Sequence, residues 1–218
     1  MLDGLMRRLI DPALNRAGRW LARRGIGANA VTLAGLGFGL AAAALIAGGA
    51  GAVALIPLLL GRLADGLDGA VARASTRTDF GGYLDIACDF LFYAAIPLAF
   101  VLRDPAANGV AGAFLLASFY VNGASFLGFA ILAEKRGMET RAQGEKSLYY
   151  SAGLLEGTET IAFFIALILW PAAFAPLAWG FGALCLVTAL ARILLAARVF
   201  GRPGQPPSQP GRGAITDD

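Results

Sequence analysis

Long apolar segments separated by short connections dominate this chain and restrict the folds open to it. Each is close to the ~20 residues that an α-helix needs to cross the hydrocarbon core of a bilayer. Hydrophobic residues make up 57% of the 218 residues and charged residues only 15%, whereas soluble domains carry about 25% charged residues. The six segments lie at about 30–48, 51–74, 80–103, 106–132, 148–170 and 177–200.

These segments predict an all-α integral membrane protein with six transmembrane helices. Residues 2–24 place apolar side chains on one helical face and arginines on the other, which predicts an amphipathic helix on the membrane surface. Basic residues are concentrated in the N-terminal segment and the even-numbered connections, so both termini are expected in the cytoplasm. We therefore divide the chain into a surface helix (1–28), a catalytic transmembrane domain (29–200) and a flexible tail (201–218).

Composition also narrows the chemistry. The chain has no histidine, which excludes His-ligated zinc and Ser-His-Asp triads. Its two cysteines, Cys88 and Cys185, lie in apolar segments and provide no disulfide framework. A composition this apolar excludes intrinsic disorder, and a net charge of +3 gives no basis for a nucleic-acid partner. Carboxylates, hydroxyls, Lys, Arg and bound metal remain.

Four aspartates lie inside the second and third apolar segments, where charge is costly. Asp65 and Asp68 are three residues apart, and Asp85 and Asp89 are four apart, so each pair shares a helical face. If the two segments form a hairpin that turns near Arg77, the pairs face each other at similar depths. Four converging carboxylates repel one another unless a cation is present. Oxygen ligands favour Mg²⁺ or Mn²⁺, and we predict two ions.

The residues around the acids suggest a phosphate ligand. Gly66 and Gly69, with Gly81 and Gly82 on the facing segment, remove side chains and leave room for it. Arg73, one helical turn from Gly69, has the planar donor group that suits a phosphate. The alternative is that the acids only neutralise arginines as buried ion pairs, at Arg62, Arg73 and Arg77.

The acids, glycines and arginine form an ordered motif that resembles the signature of the CDP-alcohol phosphotransferase (CDP-alcohol phosphatidyltransferase) family. The motif reads Asp65-x-x-Asp68-Gly69-x-x-Ala72-Arg73, followed by Gly81-x-x-x-Asp85-x-x-x-Asp89. The connection from Arg73 to Gly81 is one residue shorter than is usual in the family. The six predicted spans and the N-terminal amphipathic helix agree with the resemblance.

The resemblance implies transfer of a phosphate-linked group from a CDP-alcohol to an acceptor hydroxyl, with release of CMP. It implies that Asp65, Asp68 and Asp85 bind metal, and that Asp89 completes the metal site and acts as the base. The residues it assigns to nucleotide and phosphate binding are Gly69, Ala72, Arg73, Gly81, Asn29 and Thr32. For Thr32, a hydroxyl bond to the backbone at the helix start is an equal alternative.

The sequence leaves the acceptor open among glycerol 3-phosphate, an inositol compound, serine, choline and ethanolamine. The acceptor-side candidates are Glu156, Glu159 and Arg192. CDP-diacylglycerol is the expected donor, in a bacterial-type inner membrane with the site facing the cytoplasm, and the resemblance implies a homodimer. The alternatives are transfer from a CDP-aminoalcohol to diacylglycerol, a prenyltransferase, or an ion- or proton-coupled transporter that uses the aspartates.

Overall fold

The computed structural model describes residues 3–136 and 157–201, and these residues form helices without a strand. The predicted all-α class is therefore confirmed for this part of the chain. The described residues contain seven α-helices. Their bounds are α1 Asp3–Arg23, α2 Ala28–Ala47, α3 Leu55–Ala74, α4 Asp79–Arg103, α5 Pro105–Lys135, α6 Gly157–Leu169 and α7 Phe174–Phe200.

Four helices are long and apolar enough to cross a bilayer, namely α2, α4, α5 and α7 with the turn before it. Helix α3 has a similar length but carries four charged residues, which lower its hydropathy. Helix α6 is described over 13 residues, and the start of the fifth predicted segment lies outside the described residues. The six-span count and the three-part division of the chain stay predictions.

Aromatic side chains fill the core between the helices. Phe92 of α4 meets Phe164 of α6 edge to face, with ring centres 5.8 Å apart. Phe100 of α4 stacks on Phe174 of α7 at 5.1 Å. All four rings are fully buried, and such pairs add to the stabilisation from burial alone. Helix α4 is thereby fixed against the second half of the bundle.

Glycines bring α2 close to both α3 and α4, the two helices that carry the four aspartates and together form the acidic hairpin. A Cβ atom added at Gly61 of α3 would lie 3.0 Å from the carbonyl oxygen of Gly35 in α2. A Cβ added at Gly39 of α2 would lie 2.6 Å from the Phe92 ring of α4. Small residues permit this close approach between apolar helices. Helix α2 therefore holds α3 and α4 in register.

Helix α1 is continuous through Pro12 and packs along α3. A Cβ added at Gly18 would lie 2.7 Å from the backbone of Ala70, and one added at Gly66 would lie 3.0 Å from Leu14. The prediction that Gly66 makes room for a ligand is therefore wrong, because Leu14 of α1 takes that space. The predicted position of α1 on a membrane surface stays a prediction.

The predicted hairpin is confirmed, because α3 and α4 follow each other through a short link at residues 75–78. The Thr78 hydroxyl oxygen accepts a hydrogen bond of 3.0 Å from the backbone N–H of Gly81 and caps α4. Such a cap satisfies one of the free donors at a helix start. The cap fixes where α4 begins, and with it the positions of Asp85 and Asp89 along the helix.

Replacing Gly39 with alanine is expected to destabilise the bundle relative to Gly37→Ala. Both changes add a Cβ to α2, but only the one at position 39 meets the buried Phe92 ring, whereas position 37 has open space around it. We expect a difference of about 1–3 kcal/mol in the free energy of unfolding. Denaturation in detergent measures it, and equal stabilities would contradict the described α2–α4 packing.

Candidate active site

Three aspartates meet where α3 and α4 face each other. One carboxylate oxygen from each of Asp65, Asp68 and Asp85 lies within 4.8 Å of the other two. Asp68 is buried and the other two are half-buried. The expected convergence of acids from two helices is thus confirmed for these three. An oxygen donor set of this kind fits Mg²⁺ or Mn²⁺.

Asp89 makes a different contact from the one predicted. Its Oδ1 accepts a hydrogen bond of 3.1 Å from Nη1 of Arg62. The same nitrogen lies 3.6 Å from Oδ2 of Asp65. The alternative that the acids pair with arginines therefore holds at Arg62. A metal-binding or basic role for Asp89 stays a prediction.

Arg62 is a site residue to which sequence reasoning gave no functional role. It lies three residues before Asp65, so both side chains share one face of α3. Its side chain is only 16% exposed, and its Cζ lies 4.0 Å from the centre of the Phe92 ring. An arginine inside an apolar helix beside an aspartate was the signal available in the sequence.

A cavity of about 260 Å³ opens beside the acids, between the start of α2, the end of α3 and the start of α4. Asp68 and Asp85 form part of its wall, and Arg73 and Arg77 bring positive charge to it. All six residues predicted to bind nucleotide or phosphate line this cavity, namely Asn29, Thr32, Gly69, Ala72, Arg73 and Gly81. The structure brings them together, while their contact with a nucleotide stays a prediction.

Two glycines shape the wall of this cavity. A Cβ added at Gly69 would lie 3.4 Å from Nη1 of Arg73, so the glycine leaves room for the guanidinium. A Cβ added at Gly81 would lie 3.1 Å from the side-chain oxygen of Asn29. The glycines thus keep the arginine and the asparagine close to the backbone.

Thr32 bonds to one of the acids, an arrangement the sequence did not indicate. Its hydroxyl donates to Oδ2 of Asp68 at 2.6 Å and lies 3.1 Å from the carbonyl oxygen of Ala28. The backbone contact matches the alternative given for this residue. The bond to Asp68 fixes the orientation of a buried carboxylate that also lines the cavity.

Helix α1 contacts the site through a hydrogen bond to Arg73 of α3. Nη2 of Arg73 donates a hydrogen bond of 3.0 Å to the side-chain oxygen of Asn15. Asn15 is a half-buried residue of α1, on the side that packs against α3. Sequence periodicity placed the residue in a helix but gave no sign of this partner.

A second, much smaller void of about 10 Å³ lies beside Asp65. Its walls include Arg62, Asp65, Asp89 and Cys88. A void of this size holds about one water molecule. Thr32 lines both this void and the large cavity, so the two spaces lie on either side of its side chain.

The acceptor-side candidates have different surroundings. Arg192 of α7 is buried, and its Nη1 lies 2.7 Å from the Ser125 hydroxyl and 3.0 Å from the side-chain oxygen of Asn122, both in α5. Glu159 is half-buried near the start of α6, and Glu156 lies outside the described residues. A Cβ added at Gly157, the first residue of α6, would lie 3.7 Å from the Tyr93 hydroxyl, one turn after Asp89.

A relative and a solved structure resemble this chain over most of its length. The inner membrane protein YnjF of Escherichia coli is 47% identical over 193 residues, which cover 88% of this chain and 94% of that protein. The Mycobacterium tuberculosis phosphatidylinositol phosphate synthase PgsA1, solved with CDP-DAG bound, matches with a TM-score of 0.60 at 20% identity. That match covers 84% of this chain and 93% of the synthase, and it shows a shared fold.

A family model also matches the chain, from residue 26 to residue 200. This range includes the acidic hairpin and every residue that lines the large cavity. The family is described as CDP-alcohol phosphatidyltransferase. The chain therefore belongs to the CDP-alcohol phosphatidyltransferase family.

Proposed function

We propose that this protein transfers a phosphatidyl group from CDP-diacylglycerol to the hydroxyl of a small alcohol and releases CMP. The observation that carries the proposal is the meeting of Asp65, Asp68 and Asp85 beside a cavity that also holds Arg73 and Arg77. Membership of the family and the fold shared with a synthase that binds CDP-DAG support the same reaction.

The large cavity is the proposed binding place of the cytidine diphosphate portion. Its volume of about 260 Å³ is near the lower end of typical ligand pockets, which start at about 300 Å³. Asn29 provides a polar side chain beside the proposed ligand, and Gly69 and Gly81 leave that part of the cavity wall free of side chains. Arg73, fixed by Asn15, provides a planar donor group for a phosphate.

Asp65, Asp68 and Asp85 are the proposed ligands of a divalent cation, Mg²⁺ or Mn²⁺. When bound, such an ion neutralises charge on the pyrophosphate and makes CMP a better leaving group. Thr32 holds the Asp68 carboxylate through its 2.6 Å hydrogen bond. Asp68 and Asp85 also line the cavity, so an ion held by the three carboxylates would lie next to the proposed diphosphate site.

Asp89 is the proposed base. Its Oδ1 is held by Arg62, and its Oδ2 is the oxygen assigned to the acceptor proton. The acceptor oxygen forms a bond to the lipid-linked phosphorus while the bond from that phosphorus to the CMP oxygen breaks. The proton moves to Asp89, and the electron pair leaves with CMP. The void of about 10 Å³ beside Asp89 matches the size of a hydroxyl group.

The acceptor side is proposed to lie toward α5, α6 and α7, with Glu156, Glu159 and Arg192 as candidates. A Cβ added at Gly157 would lie 3.7 Å from the hydroxyl of Tyr93, a residue one helical turn after Asp89. In α5, a Cβ added at Gly123 would lie 2.4 Å from the ring of Phe90, the residue after Asp89. These two distances support an acceptor side near α5 and α6.

The apolar helices and an inner membrane relative support an integral inner membrane protein. We propose that both termini and the opening of the cavity face the cytoplasm, where CDP-linked donors and polar acceptors are found, and that the protein is a homodimer. The meeting of three of the four acids at one point favours a single binding site over the transporter alternative, which expects acids spread along a path.

The proposed reaction predicts CMP release that depends on both an alcohol and a divalent cation. Purified full-length protein is incubated with CDP-diacylglycerol and each of glycerol 3-phosphate, inositol 1-phosphate, inositol, serine, choline and ethanolamine. One acceptor class is expected to give CMP and a new phospholipid, detected by chromatography. EDTA should stop the reaction and excess Mg²⁺ or Mn²⁺ should restore it, because the carboxylate group needs a cation. Turnover in excess EDTA would contradict the metal role.

Asp89→Asn is expected to lower kcat by about 100- to 10,000-fold, the usual contribution of a general base. The amide keeps the shape of the side chain but cannot accept the acceptor proton. Mn²⁺-dependent binding of CDP should be nearly unchanged, whereas Asp85→Asn, the matched control on the same helix, should lose it. Full activity of Asp89→Asn would remove Asp89 as the base.

Thr32→Val is expected to weaken Mn²⁺ binding by about 10- to 100-fold, because groups that orient a metal ligand contribute on this scale. The change removes the hydroxyl that donates to Asp68 and keeps the volume. Titration of the purified protein with Mn²⁺ measures the affinity. Thr32→Ser retains the hydroxyl and should bind as the original does, so equal weakening in both variants would show that the hydroxyl plays no part.

A further inference from the structure

We propose that Arg62 is a permanent cation of the acidic site, so that the chain binds one divalent ion at Asp65, Asp68 and Asp85 and no second ion between Asp65 and Asp89. This inference rests on the proposed metal role of the three aspartates. It departs from the two ions expected from four carboxylates. It also gives Arg62 a positioning role toward Asp89.

The first support is the place of one nitrogen atom. Nη1 of Arg62 lies 3.1 Å from Oδ1 of Asp89 and 3.6 Å from Oδ2 of Asp65. An Mg²⁺ ion that joined these two carboxylates would need to lie about 2.0–2.1 Å from an oxygen of each. It would have to displace the guanidinium from the space between them.

The second support is that the surroundings hold the guanidinium in this space. Its Cζ lies 4.0 Å from the centre of the fully buried Phe92 ring, which favours a cation. Gly39 of α2 closes the space beside Phe92. The Nε atom of Arg62 is buried and has no hydrogen-bond partner among the described residues. An arginine moved away from its carboxylates would remain a buried charge without a partner, which is strongly unfavourable.

The third support is the balance of charge. The four carboxylates carry four negative charges, and Arg62 with one divalent ion balances three of them. Arg73 and Arg77 line the adjacent cavity and add positive charge where the anionic donor is proposed to bind. A second divalent ion is not needed to relieve the repulsion between the acids.

A consequence follows for Asp89. A carboxylate that ligates a metal has little freedom to accept a proton, whereas Asp89 held through one oxygen by Arg62 keeps its other oxygen for the acceptor hydroxyl. By holding Asp89, Arg62 gives this aspartate a different role from the three that bind the ion. Asp65, Asp68 and Asp85 bind the ion, and Asp89 is positioned as the base.

The test counts Mn²⁺ ions on the full-length protein in detergent, without nucleotide, by equilibrium dialysis with electron paramagnetic resonance. The unchanged chain is expected to bind one ion with no coupling between manganese centres. Arg62→Met keeps an apolar stem over Phe92 but removes the charge, so it should bind two ions that are magnetically coupled. Arg62→Lys keeps a cation, and Arg192→Met removes a buried arginine bonded to Asn122 and Ser125. Both should stay at one ion.

Two ions on the unchanged chain, or one ion on a folded Arg62→Met variant, would overturn the inference. If Arg62→Met does not fold, Asp89→Asn decides, since it should still bind one ion with an affinity within about threefold of the original. Loss of ion binding in Asp89→Asn would also overturn the inference. No ion on the unchanged chain would overturn the metal role as well. One ion on a chain that releases no CMP would contradict the proposed reaction and support this inference.

Discussion

Four carboxylates in the apolar helices α3 and α4 need positive charge close by, and the rest of the site follows from that need. Burying a charge without a partner costs far more than the packing of one side chain returns. The chain supplies one partner itself, since Arg62 contacts both Asp65 and Asp89. Asp65 also meets Asp68 and Asp85, and these three carboxylates lie within 4.8 Å of one another in a donor set that fits a divalent cation. The position of the cavity, the arginines and the proposed base can all be understood from this division.

The surrounding helices keep the acids at fixed positions. Helix α2 packs on α3 through Gly35 and Gly61 and on α4 through Gly39, so it sets the distance between the two acidic helices. It also provides Thr32, which orients the Asp68 carboxylate. Helix α1 packs on the outer side of α3 and holds Arg73 through Asn15. A site whose ligands come from rigid helices and are held by neighbouring hydrogen bonds is suited to binding a metal and a nucleotide in a defined geometry.

Much of this arrangement could be predicted from the sequence, because helical spacing fixes which residues share a face. Asp65, Asp68 and Asp85 were expected to converge, and the six residues predicted to contact the nucleotide do share one cavity. The pairing of Asp89 with Arg62 was foreseen only in the alternative of buried ion pairs, because equal depth along a helix does not determine which partner a side chain meets. Gly66 was assigned to the ligand, since a pattern of small residues does not show that Leu14 of another helix fills the space. The periodicity of α1 likewise predicts an apolar face but does not show that α1 packs against α3.

The most direct measurement is an anomalous difference map from crystals of the full-length protein grown with Mn²⁺ and CDP. The account predicts a manganese peak bound by Asp65, Asp68 and Asp85, with the diphosphate next to it and the cytidine in the cavity lined by Asn29, Gly69 and Gly81. Asp89 should remain in contact with Arg62. A manganese peak away from these three aspartates, or a nucleotide bound elsewhere on the protein, would contradict it.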